Sequence, residues 1–292
     1  MYTLKEGWIA MQGPMPVEDW DGKMYCTETD AELTFRANVI QGYLAAYTFT
    51  LVIEGWLSIV YNNKQLMLHP GDIYIYSPGM PVLIAAASSD YRAICLMADE
   101  QTTIELPSVR DLVHIAYAPI VQLHEPKLSL PPEESHHMEQ RMREIIGYLH
   151  SDHLYKKEIL RMLYAAFLLD MQNAQQNSIT RPQIPPRVEE IFIGFIRLLP
   201  HYFTQHHDIA FFASQLNITP VYLSRVVRQV TGRTVIDYIN QMLVMEASFL
   251  LRTSPMSITQ IAEQLHFADT PSFSKFFLRM KGVNPRRYRM EK

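Results

Sequence analysis

Cationic side chains set at helical spacing on two short segments near one end of this chain are its clearest candidates for chemistry. In residues 220–230, Leu223, Val226, Val227 and Val230 fall on one side of a helix with 3.6 residues per turn, and Tyr222, Arg225, Arg228 and Gln229 lie largely off it. In residues 270–280, Phe273, Phe276 and Phe277 make the apolar side, and Lys275 and Arg279 face outward. A guanidinium presents a planar fork of donors that matches both acceptors on the major-groove edge of guanine, whereas an ammonium is a compact point charge. Faces of this kind offer recognition of base edges and phosphates.

The elements that must position these faces are readable from a repeat. Phe212-Ala213-x-x-Leu216-x-Ile218 is answered by Ile261-Ala262-x-x-Leu265-x-Phe267, and Leu223-Ser224-x-x-Val227 by Phe273-Ser274-x-x-Phe277. Gly232 lines up with Gly282, so the offset is 49 residues at first and 50 afterwards. Two copies are too few for a solenoid, and a duplicated small module is the simpler reading. Each copy is punctuated as two short helices around a tight turn. Thr219 can cap a helix whose first position is Pro220, where a missing N–H costs nothing. Ser257 can cap a helix holding Ile258, Ile261, Ala262 and Leu265, and Asp269 or Thr270 begins the next. A short helix, a tight turn and a second helix with a polar outer face is what a helix-turn-helix presents to the major groove. One copy alone would equally describe a helical hairpin that merely packs; the duplication favours the groove reader. Between the copies, Ile236, Ile239, Leu243, Ala247 and Leu250 predict one long helix over residues 234–252 that holds them at fixed separation.

Residues 187–289 resemble the DNA-binding domain of the AraC/XylS transcription regulators. The resemblance rests on Ile261-Ala262, His266-Phe267-Ala268-Asp269, Ser272-Phe273-Ser274-Lys275-Phe276-Phe277, Gly282-Val283-Asn284-Pro285 and Tyr288-Arg289. The sequence departs from the family's pattern at His266 where it has Gly, at Lys275 where it has Arg, and at Asn284 where it has Thr. The resemblance implies that Val221, Ser224 and Arg225 in the first module, and Thr270, Pro271, Ser272 and Lys275 in the second, approach base edges. Arg228, Arg233, Arg279, Lys281, Arg286 and Arg287 are then assigned to phosphates. It further implies double-stranded DNA and RNA polymerase as partners, a small-molecule effector of unknown identity, and a homodimer.

Composition is consistent with this. At 292 residues, 48% hydrophobic and 19% charged, the chain suits two folded domains. No apolar run reaches 18 residues, and Met1 to Gly7 shows no basic segment before an apolar core, so no membrane span or secretion signal is expected and the cytoplasm is the expected location. Cys26 and Cys95 make neither a disulfide framework nor a zinc spacing and predict buried, reduced thiols. The overall charge of −4 hides an asymmetry: from Arg187 to Lys292, 13 Lys and Arg face 8 Asp and Glu, leaving 13 against 22 in the preceding residues. A basic end on an acidic body is the footprint of one part that touches phosphate and one that does not.

The fold class predicted is α+β with several domains. Residues 1–125 read as short strands broken by turns, a sandwich or small barrel. The stretch His69-Pro70-Gly71-Asp72-Ile73-Tyr74-Ile75-Tyr76-Ser77-Pro78-Gly79 resembles the turn and strand of a cupin jelly roll. No H-x-H pair accompanies it, so no metal and no cofactor are expected, and His69 reads as locally bonded or solvated. His136-His137 and His206-His207 read as surface pairs. A barrel not filled by its own side chains encloses a ligand, and Tyr47, Phe49, Trp56, Tyr74 and Tyr76, with Arg36 and Arg92 as polar anchors, are the candidates to line it. Core packing of the same aromatics is the competing reading, because alternation does not say which face is inner.

Residues 126–176 predict a helical connector. Met138, Met142, Ile145 and Leu149 recur at helical spacing, and residues 159–171 are apolar on nearly every side, which predicts burial against more than one neighbour, in a dimer interface or inside a monomer. Residues 177–186, with three prolines, read as a linker, and residues 187–292 as the DNA-binding domain. The functional reading is an effector-responsive transcription activator. The alternatives are a regulator without an effector, acting by abundance or through a protein partner, and a cupin-type enzyme tethered to DNA, against which the missing metal constellation counts.

Overall fold

Strand β2, Ala46–Glu54, is buried over its first seven residues, so both of its faces must be covered. The computed structural model describes residues 23–35, 46–61, 64–76, 82–99, 103, 125–178 and 185–290. It divides into two units, Met1–Glu189 and Glu190–Lys292. In the first, β2 joins β1 (Met24–Asp30), β5 (Asp72–Tyr76), β7 (Arg92–Asp99) and β8 (Lys127–Ser129) in a sheet of order β1-β7-β2-β5-β8. Strands β3 (Leu57–Tyr61), β4 (Lys64–Leu68) and β6 (Val82–Ala87) form a second sheet of order β4-β3-β6. All the pairings are antiparallel.

The expected barrel is not what the described residues form: two open sheets stand in its place. The chain leaves one sheet for the other at Gly55, whose φ of 67° and collision of any Cβ with Ser88 Oγ restrict the position to glycine.

The ladders assign the faces. Thr50 pairs with Tyr74 on one side and Cys95 on the other, and Thr48 with Tyr76 and Met97, so these share a face. Phe49, paired with Ile75 and Leu96, points the opposite way. Helices α1 (Pro132–Leu149) and α2 (Lys156–Ser178) cover that second face. The Phe49 ring meets Phe167 edge-on at 5.1 Å, and the Cys26 thiol donates to the Met142 carbonyl at 3.5 Å. Burial raises the Cys26 thiol, helped by Cys95, and pushes Cys95 up to about 11 against a lowering bond from Thr50. Both thiols are therefore protonated and inert, as expected for buried cysteines.

Two sequence expectations change here. The chain does not turn helical directly after Pro126, because Lys127–Ser129 first extends the sheet along β5. Asp72 holds this edge, accepting from Ser129 Oγ and pairing with Lys127 Nζ at 3.3 Å. Helix α1 then starts at Pro132 and buries Met138, Met142, Ile145 and Leu149 as predicted. Helix α2 is not covered all round. It buries Leu160, Leu163, Tyr164, Phe167, Leu168 and Met171 but leaves Met162 71% and Leu169 49% exposed, in line with Tyr155 at 61% just before it.

The second unit is helical: α3 (Pro186–Tyr202), α4 (Ile209–Gln215), α5 (Pro220–Thr231), α6 (Val235–Thr253), α7 (Ile258–Gln264), α8 (Thr270–Lys281) and α9 (Pro285–Met290). Residues 179–184 of the expected linker lie outside the described residues. Helix α6 is the axis, packing on α5, α7, α8 and α9. It is launched by a capping box in which Thr234 accepts from the Asp237 N–H while the Asp237 carboxylate accepts from the Thr234 N–H. Phe195 of α3 meets Phe212 at 5.6 Å and Tyr238 at 5.9 Å, tying α3, α4 and α6 into one core. Among the described residues no helix is long and apolar enough to cross a membrane.

Candidate nucleic-acid interface

Each module is built by the same local devices. In the first, Asp208 caps α4 by accepting from the Phe211 N–H at 3.0 Å, and Asn217 turns the chain with φ 54°. The Ile218 N–H returns to the Ala213 carbonyl at 3.0 Å. Thr219 then caps α5, accepting from the Tyr222 N–H at 3.2 Å, and Gly232 ends it at φ 72°. In the second, Ser257 and Gln260 form a capping box on α7, and His266 turns the chain with φ 52°. The Phe267 N–H returns to the Ala262 carbonyl at 2.9 Å. Asp269, rather than Thr270, is the cap of α8, accepting from the Ser272 N–H at 2.6 Å, and Gly282 ends the helix at φ 75°. The Ser272 hydroxyl and N–H, with Lys275 as a smaller contribution, hold the exposed Asp269 carboxyl below its ordinary range.

Burial separates the two sides of each second helix. Leu223, Val226, Val227 and Val230 of α5 are buried, as are Phe273, Phe276 and Phe277 of α8. At roughly 1.5–3 kcal/mol for each large apolar side chain taken out of water, these faces hold the helices to α6 and fix which residues point away. On α5, Val221 is 71% exposed, Arg225, Arg228 and Gln229 are exposed, and Ser224 is half-buried. On α8, Pro271, Ser272, Lys275 and Arg279 are exposed, while Thr270 is half-buried and donates to Thr259 Oγ1 at 3.3 Å. Leu278, 48% exposed, joins the outer face of α8; aligning the copies at an offset of 50 places it opposite Arg228 and would have found it in the sequence.

The residues assigned to phosphates divide into two groups. Arg228, Arg286 and Arg287 are exposed, and Arg279 is exposed with its guanidinium 5.8 Å from the Phe276 ring. Arg233 lies over Tyr238 at 5.0 Å. Lys281 sits 5.9 Å from the Tyr288 ring, on which Arg252 also stacks at 4.6 Å. Partial burial, and then the Arg252 charge, lower the Lys281 ammonium below its usual value.

One pair that the sequence presents as surface is half-buried. His206 stacks on Phe211 with centroids 3.5 Å apart and planes within 3°. The His207 ring lies 5.2 Å from Phe267, and its Nε2 meets the Thr204 carbonyl at 3.1 Å. Burial lowers its pKa against the raising effect of the Thr204 and Leu265 carbonyls.

In the first unit, a cavity of about 30 Å³ lies between the sheets, lined by Thr27, Thr50, Tyr74, Cys95 and Met97 of one and Leu57 and Ile84 of the other. That is room on the scale of a water or two, against roughly 300 Å³ or more for a ligand site. Of the candidate lining residues, Tyr74 borders the cavity and Tyr76 shares its face; the hydroxyls of both are buried without a hydrogen-bond partner among the described residues. Tyr47 and Phe49 lie on the opposite face, toward the helices. Arg92 stands on the surface 3.8 Å from Glu54, with its side chain 70% exposed, and Trp56 is half-buried with its backbone N–H bonded to Ser88 Oγ. Arg36 lies outside the described residues. Among those described, no three His, Cys, Asp or Glu side chains are grouped to hold a metal.

Comparison with known proteins gives this geometry its class. Residues 212–291 match a family model described as a helix-turn-helix domain. Over 84 residues the chain is 37% identical to the HTH-type transcriptional activator RhaR of Cronobacter sakazakii, a match spanning 29% of this chain and 30% of that protein. Over 260 residues it is 23% identical to the arabinose operon regulatory protein of Escherichia coli, covering 84% of this chain and 81% of that one. The structure of ToxT from Vibrio cholerae shares the fold, with a TM-score of 0.50 at 13% identity over 92% of this chain and 97% of ToxT. The domain match and the relatives, each named a transcriptional regulator, give the class of a DNA-binding transcriptional regulator. Its C-terminal region is a helix-turn-helix domain of the AraC type.

Proposed function

We propose that the chain activates transcription by reading one DNA site with both modules, each recognition helix entering one of two successive major-groove segments about one turn, ~34 Å, apart. The observation that carries this reading is the duplicated geometry: α5 and α8 each have a side-chain cap at their first turn, a left-handed turn residue before it and a left-handed glycine after the helix, and both pack on α6. Arg225 forks onto a guanine, Val221 meets a thymine methyl, and Ser224 lies beside them; Thr270, Pro271, Ser272 and Lys275 face the second segment. Arg228, Arg233, Arg279, Lys281, Arg286 and Arg287 hold phosphates, which give affinity and salt dependence but little sequence choice.

Sites selected by the full chain from random-sequence DNA test the assignment. Arg225→Ala is expected to cost about 1–3 kcal/mol on the selected site and to relax preference at one position. Arg286→Ala is expected to weaken all sequences alike and to reduce the salt slope by about one. An Arg225→Ala chain with unchanged affinity and unchanged base preference would show that this helix is not the reader.

The reading extends to regulation. The pair of facing sheets supports a cupin-like sensing domain, and the unpartnered hydroxyls of Tyr74 and Tyr76 support a small polar effector, for which the inter-sheet cavity, now the size of a water or two, must widen on binding. Tyr155, Met162 and Leu169 recur every seven residues along an exposed face, the spacing of a helix seam, and support a homodimer through α2. As an activator in the cytoplasm the protein would act on RNA polymerase.

A further inference from the structure

We infer that His207 is a clasp between the two modules, setting the rotation of one recognition helix relative to the other and so the sub-site spacing that the protein accepts. The inference rests on the proposal that both modules engage one DNA site.

His207 belongs by sequence to the first module, in the loop between α3 and α4. Its loop is anchored there: the neighbouring His206 stacks on Phe211 of α4, and His207 Nε2 meets the Thr204 carbonyl at 3.1 Å. The other side of the same imidazole belongs to the second module. Its ring lies 5.2 Å from Phe267 in the α7–α8 turn, and the Leu265 backbone of that turn acts to raise the pKa of the ring. Phe267 in turn packs on Phe273 at 5.3 Å and Phe276 at 5.1 Å, the inner face of the second recognition helix.

Each module packs separately on α6, the first through α5 and the second through α7 and α8. A direct tie between the modules adds to the resistance against one rolling relative to the other. The imidazole supplies such a tie, with its flat ring against the Phe267 cluster of the second module and its Nε2 on the Thr204 carbonyl of the first. A rotation of one module by the twist of one base pair, roughly 34°, would part the His207 and Phe267 rings. His207 is a positioning residue: it acts through Phe267 and the turn, and none of the residues proposed to touch bases or phosphates is its partner in these contacts.

The test uses the full chain, the bipartite site it selects from random-sequence DNA, and derivatives of that site with one base pair inserted or removed between the halves. The wild-type chain is expected to lose about tenfold or more in affinity on either change, because one helix is carried out of register. His207→Ala is expected to lose less than about threefold on the same changes while binding the parent site more weakly, since a loosened pair pays an ordering cost on every site. His207→Phe, which keeps the ring against Phe267 and drops the polar contacts, is expected to fall between them, and it carries the test if the alanine chain does not fold. The ratio of parent to altered site is the readout, since a uniform loss of stability does not move it. A folded His207→Ala chain as intolerant of altered spacing as the wild type overturns the clasp alone. A wild-type chain indifferent to spacing overturns the two-module reading and the clasp with it.

Discussion

Asn217 and His266 turn the two modules through left-handed backbone, at φ 54° and 52°, and are 49 residues apart. That region costs an L-residue about 1–2 kcal/mol, because Cβ crowds the following carbonyl, and asparagine tolerates it better than most. Histidine shares some of that tolerance, but only glycine, without a Cβ, escapes the clash altogether. The His266 side chain is exposed, and its ring nitrogen meets only the local Gln264 carbonyl, at 3.2 Å. His266→Gly is therefore expected to stabilise the full chain by about 0.5–1 kcal/mol, the gain being trimmed by glycine's greater freedom when unfolded. Thermal melting reads this as an increase of a few degrees, with the selected DNA sequence unchanged. A lower melting temperature would mean that the imidazole contributes more than the backbone strain takes away.

Elements of the second unit were readable because their ends are written in side chains: Thr219, Thr234, Ser257 and Asp269 each accept the N–H three residues on, and Gly232 and Gly282 close α5 and α8. The faces of the sheet were not readable. Alternation carries information only when one face meets water, and β2 has helices against Phe49 and a second sheet beyond Thr50, so both of its faces are apolar. Tyr47 and Phe49 thus looked equivalent to Tyr74 and Tyr76 although they lie on the other side. Strand β8 has three residues, too few to show a period, and is specified by its pairing to β5. Nothing near His207 in the sequence marks it as other than surface, because its aromatic partner, Phe267, is distant in the chain. The strong hydrophobicity of α2 does not indicate which residues remain uncovered, namely Met162, Leu169 and the preceding Tyr155. If this stripe is the dimer seam, Met162→Lys places a charge in it and is expected to raise the dimer dissociation constant by about tenfold or more while leaving the melting temperature of the monomer unaltered. Sedimentation across a concentration series measures it; an unchanged mass distribution would assign the stripe to free surface.

At the scale of the molecule, charge and fold divide at nearly the same place. From Arg187 onward 13 basic residues face 8 acidic ones, and starting instead at the unit boundary, Glu190, removes Arg187 and Glu189, one of each sign, so the second unit keeps the same excess. The residues before Arg187 hold 13 basic and 22 acidic. An acidic body joined to a basic reader repels the phosphates that the reader attracts, over a range set by the Debye length, about 10 Å at 0.1 M salt. This repulsion does not distinguish sequences, so it suppresses occupancy of random DNA as much as of the cognate site and leaves discrimination to the groove contacts proposed for residues such as Arg225. Residues 185–292 contain α3 entire and the core around Phe195, Phe212 and Tyr238, and should fold alone. That fragment is expected to bind random-sequence DNA several-fold more tightly than the full chain at about 50 mM salt, with the two affinities converging by about 300 mM as screening shortens the range. Fluorescence anisotropy on one random duplex at both salt concentrations decides it, because an obstruction by the body that is steric in origin would keep the ratio constant as salt rises.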